Sequence, residues 1–323
     1  MRRRTAEKGI AMKRIISLIL AFVTVVALFS CKSTDADVSK LKIVTTIFPQ
    51  YDIASHISGG KADVTMLLPF GSDIHTYEPS VKDMTDVASC DIFIYNGVET
   101  EPWTVSILES IDRDNTVVVD LSENITLLEG DVHESHDHSE DEHIHDYDPH
   151  FWTSPRNAVV ITDEILSALC TVDETNADHY IMNAQNLKVQ LSSLDSELSD
   201  MAENYDGTPL YFGGKFAFLY MFSEYGFEHR SPYNGCSDQA EPSIKTIADI
   251  CEDIEKDRVK YIFTEEMSQS KIAKSIADET GTELLVLHSC HNLSKDEAKA
   301  GETYVSLMYK NIANMRKALN ERK

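Results

Sequence analysis

Histidines and acidic residues are concentrated in one short stretch of this 323-residue chain, residues 131–152, which read DVHESHDHSEDEHIHDYDPHFW. Neutral imidazoles and carboxylates are ligands for zinc and neighbouring transition metals. Residues 131–147 contain little apolar surface to bury, so we expect a loop that gathers metal ions. The alternative is a solvated acidic loop with incidental histidines. The auxiliary metal-binding residues predicted in the loop are His133, His136, His138, His143 and His145.

A second candidate ligand follows this loop directly. His150 lies in the segment 148–152, DPHFW, which ends in an aromatic pair that a folded domain would bury. His150 therefore lies where the polar loop meets packed chain. We expect the loop to supply metal to a fixed site, and we assign His150 to that fixed site.

The elements that must position such a site follow from hydrophobic patterning. Runs rich in β-branched residues predict strands at 42–48, 63–68, 91–95 and 116–121, and helical patterns lie between them. The alternation resumes with strands at 210–212, 227–231, 259–264 and 283–288, and with helices at 217–225, 243–256, 271–280 and 295–319. This order of elements predicts parallel sheets flanked by helices.

The longest periodic stretch joins the two series of strands. Apolar residues step by three and four from Tyr180 to Met201, with Asp173 as the expected cap, which predicts one helix of about 30 residues. A coiled coil is the alternative. We predict an α/β protein of two lobes, 41–171 and 206–323, joined by a backbone helix at 172–205. The lobes repeat the order of elements, and no residue-level repeat between them stands out.

In open parallel sheets, ligands bind beyond the carboxyl ends of the strands. Residues of metal-binding type lie at or just past several predicted strand ends, and two facing lobes would gather them in the cleft between the lobes. We therefore predict a transition-metal site in that cleft. The candidates at strand ends are His75, Cys236, Glu265, Glu266, His288, Cys290 and His291.

The amino-terminal segment predicts an address outside the cytoplasm. A positive start at 12–14 and an apolar run at 15–29 precede Cys31, which is typical of a signal peptide, 1–31, with lipoprotein-type cleavage before Cys31. We expect a lipid on Cys31, a polar tether at 32–40 and attachment to a bacterial cell membrane. Translation could begin at Met1 or at Met12. The other five cysteines are widely spaced and do not form a disulfide framework.

Charge and motif content exclude or weaken other functions. The net charge of −25 argues against nucleic acid, because no basic cluster is present to neutralise phosphates. A zinc hydrolase would need an open coordination position and a general base, for which Glu265 is the only candidate we identify. No H-E-x-x-H spacing accompanies Glu265, so this alternative is the weakest.

Three motifs in order carry a family resemblance. Residues 68–80 (LPFGSDIHTYEPS), 148–158 (DPHFWTSPRNA) and 235–243 (GCSDQAEPS) resemble motifs of the metal-specific solute-binding lipoproteins of bacterial ABC importers, cluster A-I, zinc-uptake type. The resemblance spans residues 41–320 and implies that His75 and His150 are metal ligands. It also implies a monomer without catalytic activity that binds a divalent metal, zinc first, with high affinity and delivers it to an ABC permease. A manganese-binding protein of the same family and a surface adhesin are the alternatives.

One position departs from the family pattern. Lys215 occupies the place of the third ligand, and a protonated lysine has no lone pair for a metal. Our hypothesis is that His288 supplies the missing imidazole. Three imidazoles would favour zinc over manganese by ligand softness. The candidates held in reserve are Glu265, Cys290, His291 and Cys236.

Overall fold

The structure is a computed structural model, and it describes residues 40–98, 100–130, 147–233, 241–268 and 270–322. The predicted signal peptide with Cys31, the five loop histidines and Cys236 all lie outside these residues. Within them, no helix combines the length and the apolar character that a membrane crossing would need.

The first half of the chain builds a four-stranded parallel sheet in the order β2-β1-β3-β4. Strand β3 is buried along its whole length, as expected for a central strand whose two faces are both covered. Helices follow the first three strands, in the predicted βα alternation. The bounds are β1 (Leu41–Thr45), α1 (Phe48–Ser58), β2 (Ala62–Met66), α2 (Val81–Ala88), β3 (Ile92–Tyr95), α3 (Thr104–Leu108) and β4 (Val117–Asp120).

Two long helices follow, α4 (Pro155–Val172) and α5 (Ala177–Asn204). The 28 residues of α5 bury the predicted stripe from Tyr180 to Met201, and the helix packs against α4, α1 and the last helix of the chain. The helix begins four residues after Asp173, because that side chain caps a separate 3-10 turn, Glu174–Asn176. The predicted long helix is confirmed, with this shift of its start.

The second half contains two parallel strand pairs, β5–β6 and β7–β8, and a parallel bridge between Phe212 and Phe263 connects them. The bounds are β5 (Leu210–Tyr211), α6 (Leu219–Tyr225), β6 (His229–Arg230), α7 (Ile244–Lys256), β7 (Tyr261–Thr264), α8 (Lys271–Thr280), β8 (Glu283–Val286), α9 (Lys295–Ala300) and α10 (Tyr304–Asn320). The predicted α/β class, with parallel strands flanked by helices, is confirmed. The lobe boundaries at 171 and 206 stay a prediction.

One predicted helix is divided. Instead of a single helix over 295–319, α9 ends at Gly301, whose φ of 74° is left-handed, and α10 begins after a new cap at Thr303. The Thr303 side chain accepts a hydrogen bond from the Ser306 backbone N–H, which satisfies one of the donors left open at the start of α10. The single-helix prediction was wrong because the apolar period continues across this glycine.

Candidate metal centre

One loop organises the residues predicted to bind metal. Residues 287–293 follow β8, and we call them the β8 loop. The indole Nε1 of Trp152 donates to the Ser289 carbonyl over 2.8 Å, which attaches the segment that carries His150. The Asn292 side chain donates to the carbonyls of Pro69 and Ser72, both at 2.8 Å. The β8 loop therefore holds both the DPHFW segment and the loop that leads to His75.

His150 is buried and oriented by a carboxylate. Its Nδ1 lies 3.0 Å from Oδ1 of Asp148, and its backbone N–H donates to the same oxygen over 2.8 Å. An ionised carboxylate only accepts hydrogen bonds, so Nδ1 carries the proton and the lone pair of the ring lies on Nε2. A histidine whose other nitrogen donates to a carboxylate is the usual arrangement of a metal-bound imidazole.

The same arrangement occurs at His291. Its Nδ1 lies 3.1 Å from Oε1 of the buried Glu266 and 2.6 Å from the hydroxyl of Ser289, which itself donates to Glu266. Nε2 of His291 is buried and has no hydrogen-bond partner among the residues that the structure describes. His291 thus presents an unshared lone pair inside the protein, where an unpaired polar atom is costly unless a ligand occupies it.

Glu266 remains ionised in this environment. Burial raises the pKa of its carboxyl, but the nearby His288 and the hydrogen bonds from His291 and Ser289 outweigh burial and hold the pKa at about 2. The backbone N–H of Ser289 also donates to Glu266 over 2.7 Å. Glu266 is therefore an ionised acceptor for the Nδ1–H of His291, as the carboxylate behind a metal-bound imidazole is.

His288 is buried in a different role. Its Nδ1 accepts a hydrogen bond of 2.9 Å from the backbone N–H of Cys290, so the proton of the neutral ring lies on Nε2. Nε2 lies 3.5 Å from Oε1 of Glu297. Nε2 of His288 is buried and has no hydrogen-bond partner among the described residues, as is also true of Nε2 of His291, but in the tautomer that accepts from Cys290 it carries the proton rather than a lone pair. The hypothesis that His288 replaces the missing ligand stays a prediction that this geometry does not favour.

Cys290 is a core residue in the β8 loop. Its side chain is fully buried, and its Sγ lies 3.5 Å from the His288 carbonyl oxygen. Burial, together with the nearby charges of Glu266, Asp52 and Glu297, raises the pKa of the thiol well above its ordinary value. Because metals bind the thiolate rather than the thiol, this environment disfavours Cys290 as a ligand.

Glu265 and Lys215 face the site with opposite charges. Glu265 is half-buried, and burial raises the pKa of its carboxyl, as does the charge of Glu266. His150, His291 and Lys215 oppose that shift, which places all three within electrostatic range of Glu265. The backbone just before Lys215 packs closely against α8. A Cβ on Gly213 would lie 2.8 Å from the Cα of Ala273, so this close approach needs a glycine.

His75 lies in a 3-10 turn, Ile74–Thr76, after β2, and its side chain is outside the described parts of the structure. The hydroxyl of the neighbouring Tyr77 donates to Asp83 over 2.9 Å. In the described part of the chain, no three His, Cys, Asp or Glu side chains lie close enough together to hold one ion. Cys236 and the five loop histidines are not described either.

Sequence reasoning missed the partner of His150. Asp148 precedes that histidine by two residues, and the carboxylate and the imidazole meet because the backbone turns between them. The short D-P-H spacing was the available signal. The choice between His288 and His291 had no comparable signal, because it depends on which nitrogen each ring has already used.

Comparison with known proteins identifies relatives of this chain. The family model described as zinc-uptake complex component A, periplasmic, matches residues 43–318. The zinc-binding lipoprotein AdcA of Streptococcus pneumoniae is 30% identical over 308 residues, which cover 95% of this chain and 61% of AdcA. The high-affinity zinc uptake system protein ZnuA of Bacillus subtilis is 33% identical over 289 residues, 89% of this chain and 90% of ZnuA. This chain thus spans about three-fifths of the length of AdcA.

A solved structure shares the fold. The Zn(II)-bound ZnuA-like domain of Streptococcus pneumoniae AdcA superposes with a TM-score of 0.73 at 27% identity, covering 87% of this chain and all of that domain. The family resemblance carried by the three sequence motifs is therefore confirmed. Since the family model matches most of the chain, this protein belongs to the family of periplasmic zinc-uptake components A.

Proposed function

We propose that this protein binds zinc outside the cytoplasm and delivers it to an ABC permease. The observation that carries the proposal is a pair of imidazoles, the buried His150 and the half-buried His291, each with its Nδ1 against a carboxylate. Nε2 of each ring is the proposed metal-binding atom, as is usual when the other nitrogen faces a carboxylate. Family membership and the zinc-related names of the relatives support the same function.

The proposed ligands are His75, His150, His291 and Glu265. Three imidazoles and one carboxylate would complete the four-coordinate arrangement that zinc prefers when no catalytic water is bound, once zinc binding draws His150, His291 and Glu265 closer together than they lie in this structure. This set replaces His288 by His291, which we had held in reserve. Nitrogen-rich ligands favour zinc over manganese, so manganese is the second candidate ion. A closed set of four ligands also leaves no coordination position for a hydrolytic water, and we propose no catalytic step.

Lys215 takes the place of a ligand without acting as one. Its charge favours the ionised form of Glu265, which keeps that carboxylate ready to bind a cation. When zinc arrives, the ammonium group and the metal compete for the same carboxylate. We infer that Lys215 weakens zinc binding and thereby eases release to the permease.

The test compares the two histidines of the β8 loop. Zinc affinity of the purified protein is measured by competition with a chromophoric chelator for the wild type, His291→Ala and His288→Ala. We expect His291→Ala to lose at least about a hundredfold in affinity, since one of four ligands is removed from a site worth roughly 10–16 kcal/mol. His288→Ala should retain most of the affinity. The reverse ranking would restore His288 and reject His291.

Attachment and delivery need separate experiments. Mass spectrometry of the membrane-bound protein should detect a lipid on Cys31, and Cys31→Ser should release the protein into the medium or the periplasm. Metal analysis of the protein purified from cells should find zinc in excess over manganese. Reconstituted vesicles with the permease of the same bacterium should take up zinc only when the loaded protein is added. An adhesin without transport function would fail this last measurement.

A further inference from the structure

A five-residue sequence occurs twice in the chain. Residues 78–82 read EPSVK and residues 241–245 read EPSIK, one in each half of the protein. The first three residues of each copy, Glu-Pro-Ser, end one of the family motifs, and the next two residues begin a helix. The two copies differ only in their fourth residue, Val81 in one and Ile244 in the other.

The two copies share their conformation. Ser80 and Ser243 both have extended backbones, with φ and ψ of −83° and 166° and of −64° and 154°. Each serine hydroxyl accepts a hydrogen bond from the backbone N–H three residues later, Asp83 in α2 and Thr246 in α7. Each copy is therefore a helix start held by the same cap.

The two copies also share their exposure. In both, the glutamate, the serine, the apolar residue and the lysine are exposed, and the proline is half-buried. Val81 is 84% exposed and Ile244 is 88% exposed, more than any other large apolar side chain that the structure describes. A single exposed apolar residue needs no explanation. A highly exposed β-branched residue at the same position of the same capped turn in both halves does need one.

We propose that Val81 and Ile244 are matched contact points for a partner that presents two equivalent copies of one surface. This inference rests on the proposed function, because the permease that receives the zinc is such a partner when its membrane subunit is present twice. Each copy of the sequence would insert its apolar side chain into the same pocket on one of the two subunits. The flanking glutamate and lysine would set the orientation through charge, as polar residues at an interface rim do.

Charge argues against two other occupants. A lipid surface that carries anionic headgroups repels a protein with a net charge of −25, and both copies carry an exposed glutamate beside the apolar residue. A second copy of this chain has the same negative charge and is repelled in the same way. A permease surface can supply the complementary positive groups.

The experiment measures binding and transport with aspartate variants of the full chain. Val81→Asp and Ile244→Asp each place a carboxylate at the first residue of a helix, where the helix dipole favours it, so both variants should fold. The matched control is Val189→Asp, because Val189 is 70% exposed on α5 and belongs to no repeat. Binding of the zinc-loaded protein to the permease in nanodiscs and zinc uptake into vesicles are measured for each variant.

Each single variant should weaken binding by on the order of tenfold, and the double variant by on the order of a hundredfold, since the two contacts are far apart in sequence and act independently. Val189→Asp should behave as the wild type, and zinc affinity should be unchanged in all variants. Wild-type binding by the Val81 and Ile244 variants, or an effect of only one of them, would overturn the inference. A wild-type dimer in sedimentation that these variants dissociate would also overturn it, in favour of a second copy as occupant.

Failure of the proposed function gives a different result. In that case the wild-type protein itself would not deliver zinc to the permease, whatever residue stands at positions 81 and 244. If the wild type delivers zinc and the variants do so equally well, the proposed function holds and only the role of the repeated sequence is rejected.

Discussion

Replacement of Glu266 by glutamine should disable the metal site without removing a ligand. The carboxylate accepts hydrogen bonds on both oxygens. Oε2 accepts from the Ser289 backbone N–H at 2.7 Å, and Oε1 accepts from the Ser289 hydroxyl at 2.6 Å and faces Nδ1 of His291 at 3.1 Å. Glutamine offers one oxygen and one NH₂ group in the same space. The hydroxyl can turn to accept instead, but either the Ser289 N–H or the Nδ1–H of His291 must then meet another donor.

Either orientation of the glutamine has a cost. If its NH₂ faces His291, the ring must accept at Nδ1 and carry its proton on Nε2, where zinc needs the lone pair. If its NH₂ faces the Ser289 N–H, a buried donor is left without an acceptor, which costs about 1–3 kcal/mol. The less costly of the two glutamine orientations sets the expected loss of zinc affinity. We place this loss at about 10–100-fold.

The assay is chelator competition for affinity, combined with nitrogen-15 NMR of the imidazoles for the position of the proton. The matched control is Glu297→Gln, because Glu297 lies 3.5 Å from Nε2 of His288 and accepts its hydrogen bonds from the backbone N–H and the hydroxyl of Ser294. The control should bind zinc nearly as the wild type does. If Glu266→Gln bound zinc with wild-type affinity while His291 kept its proton on Nδ1, the assignment of His291 as a ligand supported by Glu266 would be refuted.

Three further outcomes are expected. Lys215→Met should raise zinc affinity by roughly tenfold, because it removes a cation within electrostatic range of the site, and slower release to a chelator would accompany the change. Deletion of residues 132–146 should leave high-affinity binding intact and lower only the number of weakly bound ions, as measured by equilibrium dialysis. Burial raises the pKa of the Glu101 carboxyl from 4.5 to about 7, so stability present at low pH should be lost as pH rises between these values, by up to about 3 kcal/mol. Glu101→Gln should abolish that loss, and denaturant unfolding of both proteins at pH 5 and pH 8 would measure it.

Sequence patterning predicted the fold where many residues contribute to one signal. The stripe on α5 extends from Tyr180 to Met201, and every member of the predicted set is buried. Parallel strands were predicted because helices alternate with buried runs, and the strands of all three described sheets do pair in parallel. The division between α9 and α10 was missed because Gly301 and Thr303 are single-residue signals inside a long apolar period. Averaging hydrophobicity over a window of residues favours a continuing apolar period over the local signal of a helix cap.

The site was predicted less completely, and the reason is local geometry. Spacing placed His288, Cys290 and His291 together at the end of one strand, but it could not say which of them keeps a lone pair. That choice depends on Cys290, whose backbone is left-handed with a φ of 63° and whose N–H therefore reaches Nδ1 of His288. A left-handed cysteine is uncommon and no sequence pattern announces it.

The β8 loop also limits how far the halves of the protein can separate around the ion. The loop belongs to the second half of the chain, yet its hydrogen bonds reach the first half at α1, at the loop before His75 and at the DPHFW segment. Each buried bond of this kind contributes about 1 kcal/mol, and wide opening would break them together. We therefore expect metal exchange without wide hinge opening of the halves. The bonds are Phe48 N–H to the His291 carbonyl, Gly71 N–H to the Leu293 carbonyl, the Asn292 amide to the Pro69 and Ser72 carbonyls, and Trp152 Nε1 to the Ser289 carbonyl.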